Sequence, residues 1–74
     1  MTSSLDASGL KCPLPVLKAR KRLKSLAVNS TLEVIATDPG ALEDFMAYCK
    51  SSGHTLVKWN ENSGIYKFLL RKEA

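Results

Sequence analysis

Few of the 74 residues carry side chains suited to covalent chemistry: two cysteines, Cys12 and Cys49, and one histidine, His54. Cys12 sits in "GLKCPLPVLKARKRL", residues 9 to 23, directly before two alternating prolines, Pro13 and Pro15. A residue before proline is pushed out of the helical region toward the extended one, which is the backbone geometry of an N-cap. Proline is tolerated in the first helical turn, whose N–H groups have no intrahelical partner. The pattern predicts Cys12 at a helix start, with Pro13 in the first helical position and Pro15 in the third, stiffening the turn beneath the sulfur. A helix N-terminus carries roughly half a positive charge and favours the thiolate, and Lys11 adds its own charge next door. The prolines remove two donors, leaving chiefly the N–H groups of Leu14 and Val16, so a modest lowering of the thiol pKa is expected. A thiol that is both attacked and attacking works best with a pKa near ambient pH. Gly9 would let the loop bend with positive φ and bring the sulfur to an exposed edge.

Which chemistries can use such a thiol? Thioredoxin-type exchange needs Cys-x-x-Cys, but the third residue after Cys12 is Pro15. Zinc needs about four clustered ligands, and one cysteine with a distant His54 does not supply them. Hydrolysis would need His54 as base and a cleft for which so short a chain has little room. A carrier remains, with the sulfur itself as cargo site and no metal or organic cofactor implied. The blander alternative makes Cys12 a plain capping residue, although cysteine caps poorly compared with Ser or Asp. Cys49 reads as a buried thiol beside Leu42, Phe45 and Met46, and His54 as an ordinary boundary histidine. Asp6 either orients the loop before Gly9 or keeps the outer face of the first strand soluble.

The elements that would position Cys12 follow from periodicity. "SSLDAS" alternates as a strand ending at Gly9, and Val16, Ala19, Leu23 and Leu26 recur at helical spacing, predicting a helix from about Pro13 to Leu26. "TLEVIAT" (31 to 37) reads as a half-buried strand. Asp38 before Pro39 reads as the N-cap of a second helix, carrying Leu42, Phe45, Met46 and Cys49 inward and stopping at Gly53. Residues 54 to 60 and 65 to 71 read as strands of a hairpin turning at residues 61 to 64. The order βαβαββ gives one four-stranded sheet with both helices on the same face, a two-layer α/β (α+β) sandwich. Trp59 and Tyr66 pack in the core or on the sheet face, or offer a partner-facing or base-stacking surface.

Seventy-four residues make a single domain spanning 1 to 74, and 45% apolar with 24% charged residues is a globular balance. Neither a membrane-length apolar run nor a signal peptide is apparent, so a cytoplasmic location is expected and the thiols are expected to be free. Of the net charge of +4, much is concentrated in Lys11, Lys18, Arg20, Lys21, Arg22 and Lys24, a stretch without acidic residues. That stripe is either a solvated face or a surface steering an acidic partner toward the thiol.

"LDASGLKCPLPVLKARKRL" resembles the signature of the TusA (SirA-like) sulfur-carrier family, Leu-Asp-x-x-Gly-Leu-x-Cys-Pro-x-Pro-Val. The likeness continues through "DPGALEDFMAYCKSSGH" and "YKFLLRK", so it covers nearly the whole chain. The resemblance implies a sheet of order 1-2-4-3. It also implies that Cys12 accepts sulfane sulfur as a persulfide from a cysteine desulfurase or rhodanese-like donor and relays it to a partner with a reactive cysteine. Asp6, Gly9, Lys11, Pro13 and Pro15 would shape that site. Arg20 and Lys21 match the family's Arg-Lys pair and, with Lys18, would meet the donor. Branches of the family serve tRNA 2-thiouridine synthesis, sulfur oxidation or selenium metabolism. The thiouridine branch places an acidic residue between the prolines, where this chain has Leu14, so the branch stays open. Membrane and direct nucleic-acid contacts are not expected. The alternative is a basic RNA-binding or regulatory module with an incidental thiol, since the same sandwich resembles the C-terminal domain of a bacterial translation initiation factor.

Overall fold

The computed structural model describes residues 2–73. Its elements are β1 (Thr2–Ala7), α1 (Leu14–Lys24), β2 (Thr31–Ala36), α2 (Ala41–Ser52), β3 (Thr55–Asn62) and β4 (Ile65–Arg71). The sheet order is β1-β2-β4-β3, as the family resemblance implied. β1 and β2 run parallel, Leu5 beside Val34 and Ala7 beside Ala36, while the other neighbours are antiparallel.

Alternation along the strands decides which face is covered. Leu32, Val34 and Ala36 of β2 are fully buried, and the register sets Leu32 beside Leu70 and Val34 beside Phe68. Glu33 and Lys67, pointing the other way, are exposed. Ala19 and Leu23 of α1 and Ala41, Phe45 and Cys49 of α2 close the same apolar cluster, so both helices cover one face. Phe45 and Phe68 pack with ring centroids 4.6 Å apart, joining α2 to the centre of the sheet. Neither helix is long and apolar enough to cross a membrane.

Several boundaries move from their sequence-based positions. Pro13 is the N-cap of α1 rather than its first helical residue, and the helix ends at Lys24, where Ser25 donates to the Arg22 carbonyl. The helix α2 begins at Ala41, not Pro39, because Asp38 first makes a turn: its Oδ2 accepts the Gly40 N–H at 3.0 Å and its carbonyl accepts the Ala41 N–H at 3.0 Å. Residues 61 and 62 extend β3, and the hairpin turns on Ser63 and Gly64 alone, both at positive φ (53° and 82°) as a two-residue primed turn requires. Met46, expected inward, is 47% exposed, because α2 buries Ala41, Phe45 and Cys49 and leaves Met46 on its flank. Trp59, at 42% exposure, lies toward the rim on edge strand β3, whereas Tyr66 is half-buried and stacks on Phe68.

Phe68→Ala should lower the unfolding free energy by about 3–5 kcal/mol, a large share of the ~5–15 kcal/mol typical of a whole domain. Met46→Ala should change it by less than about 0.5 kcal/mol. Urea denaturation followed by circular dichroism checks both, and comparable losses would contradict the exposed flank assigned to Met46.

Candidate functional site

The site lies beyond the carboxyl ends of β1 and β2. These strands are parallel neighbours and each leads into a helix, so the chain is delivered twice to the same edge of the sheet. The first delivery is residues 8 to 13. Asp6 Oδ1 accepts the Ser8 N–H at 2.9 Å, and Ser8 holds the Asp6 carboxyl below the usual carboxylate range, first through its hydroxyl and then through that N–H. Asp6 is exposed on β1 and at the same time accepts from the loop that follows it. Gly9 takes φ +78° and donates its N–H to Thr37 Oγ1 at 2.9 Å, tying the loop to the end of β2. Leu10 N–H returns to the Ala7 carbonyl at 3.3 Å.

Cys12 is exposed at the head of α1, and the Cys12–Pro13 peptide is cis. Pro15 is buried under the first turn, whereas Leu14 and Leu17 on the outer side are 46% and 49% exposed. The Leu14 N–H donates to the Lys11 carbonyl at 2.8 Å, so it is not available to the sulfur as expected. Cys49 is buried and free, its thiol pushed up by burial. It lies eight residues into α2, about 12 Å along the axis from the start of that helix. His54 follows the far end of α2, where its Nδ1 accepts the Glu73 N–H at 3.2 Å, so no imidazole adjoins Cys12.

The second delivery is the start of α2, and it reverses the expected electrostatics. A Cβ built on Gly40 would lie 3.8 Å from Cys12 Cβ and 3.0 Å from Asp38 Oδ2, so a bare backbone sits between the sulfur and the acidic turn. The Cys12 thiol is held above the usual cysteine range, first by its hydrogen bond to the Asp44 side chain, then by desolvation, then by the charges of Asp44 and Asp38. Lys11 supplies no offset. The expected mild acidification is thus overturned, because two carboxylates from the α2 side outweigh the helix end and the neighbouring lysine. Asp38 was visible in the sequence only as a cap, and no sequence signal singled out Asp44. Their approach to Cys12 is legible only once β1 and β2 are known to be parallel neighbours.

The basic residues of α1 are all exposed, but they do not form one patch. Lys18 and Lys21 flank a shallow groove with Leu5, Arg22 and Ser25, and Arg22 Nη1 donates to the Ser4 carbonyl at 3.1 Å. Arg20 lies on the other flank, facing Tyr48, Ser51 and His54 of a second groove.

In the folded protein at pH 7, iodoacetamide should modify Cys12 alone, more slowly than a cysteine in an unstructured peptide, and the rate should climb as pH rises. Guanidinium should expose Cys49 and add a second modification in the intact mass. A Cys12 that outpaces the peptide at neutral pH would contradict the carboxylate environment. Gly9→Ala should cost about 1–2 kcal/mol, the penalty of placing a Cβ at positive φ, measurable as a lowered urea midpoint.

Comparison with known proteins agrees with the fold. The family model described as Sulfurtransferase TusA matches residues 3–72. The Sulfur carrier protein TusA of Allochromatium vinosum is 48% identical over 68 residues, covering 92% of this chain and 90% of that protein. A putative sulfur carrier protein of Neisseria meningitidis serogroup A is 41% identical over 70 residues, covering 95% of each. The crystal structure of a SirA-like protein from Desulfitobacterium hafniense superposes with a TM-score of 0.83 over the whole of both chains at 20% identity, a likeness of fold. With its length spanned by that family model and its sheet in the order the signature implied, the chain belongs to the TusA family.

Proposed function

We propose that this protein is a sulfur carrier whose Cys12 holds a persulfide between a donor and an acceptor protein. The observation that carries the reading is the disposition of the two thiols: Cys12 is exposed at the end of the sheet where both helices begin, and Cys49 is buried in the core. A lone exposed thiol with no resolving partner suits receipt and delivery better than internal disulfide chemistry. The names of the relatives, sulfur carrier proteins, support the same role.

In loading, Cys12 gives its proton to solvent and Sγ attacks the outer sulfur of a donor persulfide. A new S–S bond forms at Cys12, the bond between that outer sulfur and the donor cysteine breaks, and the donor thiolate takes up a proton. Unloading repeats the exchange, with an acceptor thiolate attacking the outer sulfur and Cys12 leaving. Neither step needs an external oxidant, because the sulfur moves without changing its oxidation level. A cysteine desulfurase or rhodanese-like protein fits as donor, and a protein with a reactive cysteine as acceptor. Asp6, Gly9, Pro13 and Pro15 set the loop, and Lys11 borders the sulfur. Lys18 and Lys21 would meet a partner on one flank of α1 and Arg20 on the other. tRNA thiolation, sulfur oxidation and selenium metabolism are the pathways such a carrier could serve.

Incubation with a cysteine desulfurase and free cysteine should raise the intact mass by about 32 Da, one sulfur atom held as a reversible cap. Cys12→Ser should abolish the gain and Cys49→Ser should leave it. A gain that survives Cys12→Ser, or none in the unsubstituted protein, sinks the reading.

A further inference from the structure

We propose that the groove between the C-terminal halves of α1 and α2 binds a phosphate, as the free ion or as the monoester of a small molecule. The groove is open to solvent, has a volume of about 480 Å³ and is faced by Arg20, Lys24, Tyr48, Ser51, His54 and Lys72. It lies away from the sulfur, since Lys24 ends α1 about 15 Å along the axis from Leu14. Three of these side chains are cations, and no carboxylate lines the groove among the described residues. Glu43 and Asp44 are in the first turn of α2, at the opposite end of that helix. Glu73 is committed elsewhere, its Oε2 accepting from Arg71 Nε at 2.9 Å and from Thr55 Oγ1. Arg71 with Glu73 is the one ion pair among the described residues, so the groove cations keep their charge. Arg20 and Lys24 stand four residues apart on one helix face, where like charges repel, and an anion between them relieves that repulsion.

Two of the donors are fixed before any ligand arrives. Lys72 is half-buried, its N–H donating to the Ser30 carbonyl at 2.9 Å and its carbonyl accepting the Asn29 N–H at 2.7 Å. Its Nζ donates to the Leu26 carbonyl at 2.7 Å and to the Lys24 carbonyl at 3.5 Å. Those bonds cover the carbonyl end of α1, which would otherwise repel an anion, and leave one ammonium N–H to spare. At the end of α2 the Gly53 N–H covers the Cys49 carbonyl at 3.0 Å. His54 Nδ1 accepts the Glu73 N–H at 3.2 Å, so the neutral ring carries its proton on Nε2 as a donor. The His54 backbone N–H is held by Ser52 Oγ at 3.3 Å, and its ring stands 5.9 Å from that of Tyr48. A guanidinium fork, two ammonium groups and an imidazole N–H therefore line one open space. Phosphate answers that set, because it offers acceptor oxygens to the fork and carries about −1.5 to −2 charge at pH 7 as an ester.

The test is an amide NMR titration of the intact protein at pH 7 with sodium phosphate and, separately, with glycerol phosphate, sodium chloride holding the ionic strength constant. Saturable shifts confined to the surroundings of Lys24, Ser51, His54 and Lys72 are expected, with a Kd of about 1 mM or tighter, within the reach of so small a ligand. Tighter binding of glycerol phosphate assigns the site to a phosphate monoester, and equal or weaker binding assigns it to the free ion. Arg20→Gln and Lys24→Gln should each weaken binding about three- to tenfold. Lys58→Gln, which removes an exposed charge from β3, should leave it unchanged. Shifts that never saturate, shifts spread equally over the other basic surfaces, or a Lys24→Gln protein that is folded by circular dichroism and keeps its affinity overturn the proposal. None of these readouts involves Cys12, so the carrier reading stands or falls separately.

Discussion

The parallel pairing of β1 with β2 is the constraint on which the rest depends. An antiparallel neighbour could be reached by a short turn, but two parallel strands need a crossover, which α1 supplies across the covered face. Once Leu5 lies beside Val34 and Ala7 beside Ala36, both strands end at the same edge, and the chain leaving each of them must turn into a helix there. The cysteine loop and the Asp38–Gly40 turn are therefore neighbours by topology. The Gly9 N–H on Thr37 Oγ1 fastens the two deliveries together. Cys12 meets α2 for this reason, although nearly thirty residues separate it from Gly40 in the sequence.

That adjacency sets the charge of the site. Two helix starts at one edge direct two sets of unpaired N–H groups toward the sulfur, which alone would favour a thiolate. The chain blunts both. At α1, Pro13 and Pro15 have no N–H and the Leu14 N–H is spent on the Lys11 carbonyl. At α2, Asp38 takes the Gly40 N–H and Asp44 presents a carboxylate to the thiol. The helix dipole falls off within the first turn, and the Asp44 and Asp38 side chains push the Cys12 thiol the other way.

This competition also separates what was legible in the sequence from what was not. The alternation of "TLEVIAT" and "IYKFLLR" and the spacing of Val16, Ala19 and Leu23 report burial directly, because a period of 2 or 3.6 is a property of the local chain. The burial of Cys49 followed from the same helical spacing, while the exposure of Cys12 followed from the prolines after it and the bend at Gly9. Boundaries at Asp38 and residue 61 shifted because side-chain and positive-φ turns displace regular structure by one or two residues. The electrostatics of Cys12 was not legible, since Lys11 is its sequence neighbour and Asp44 its spatial one. Only the strand pairing says which of them matters.

The loop around Cys12 is suited to a side chain whose size changes. Its anchors are Asp6 on Ser8, Gly9 on Thr37, Leu10 on Ala7 and Leu14 on Lys11, each with a backbone N–H as donor. None of them uses the sulfur, and the buried residue of the first turn is Pro15. A second sulfur atom at the exposed Cys12 therefore leaves these anchors in place. The same atom added to Cys49 would enter a closed cluster between Phe45 and the sheet, where overpacking costs about 1–3 kcal/mol. One chain thus holds two thiols of opposite character, and the difference comes from position, Cys12 ahead of the start of α1 and Cys49 on the core-facing side of α2, and not from any chemistry of the thiol itself.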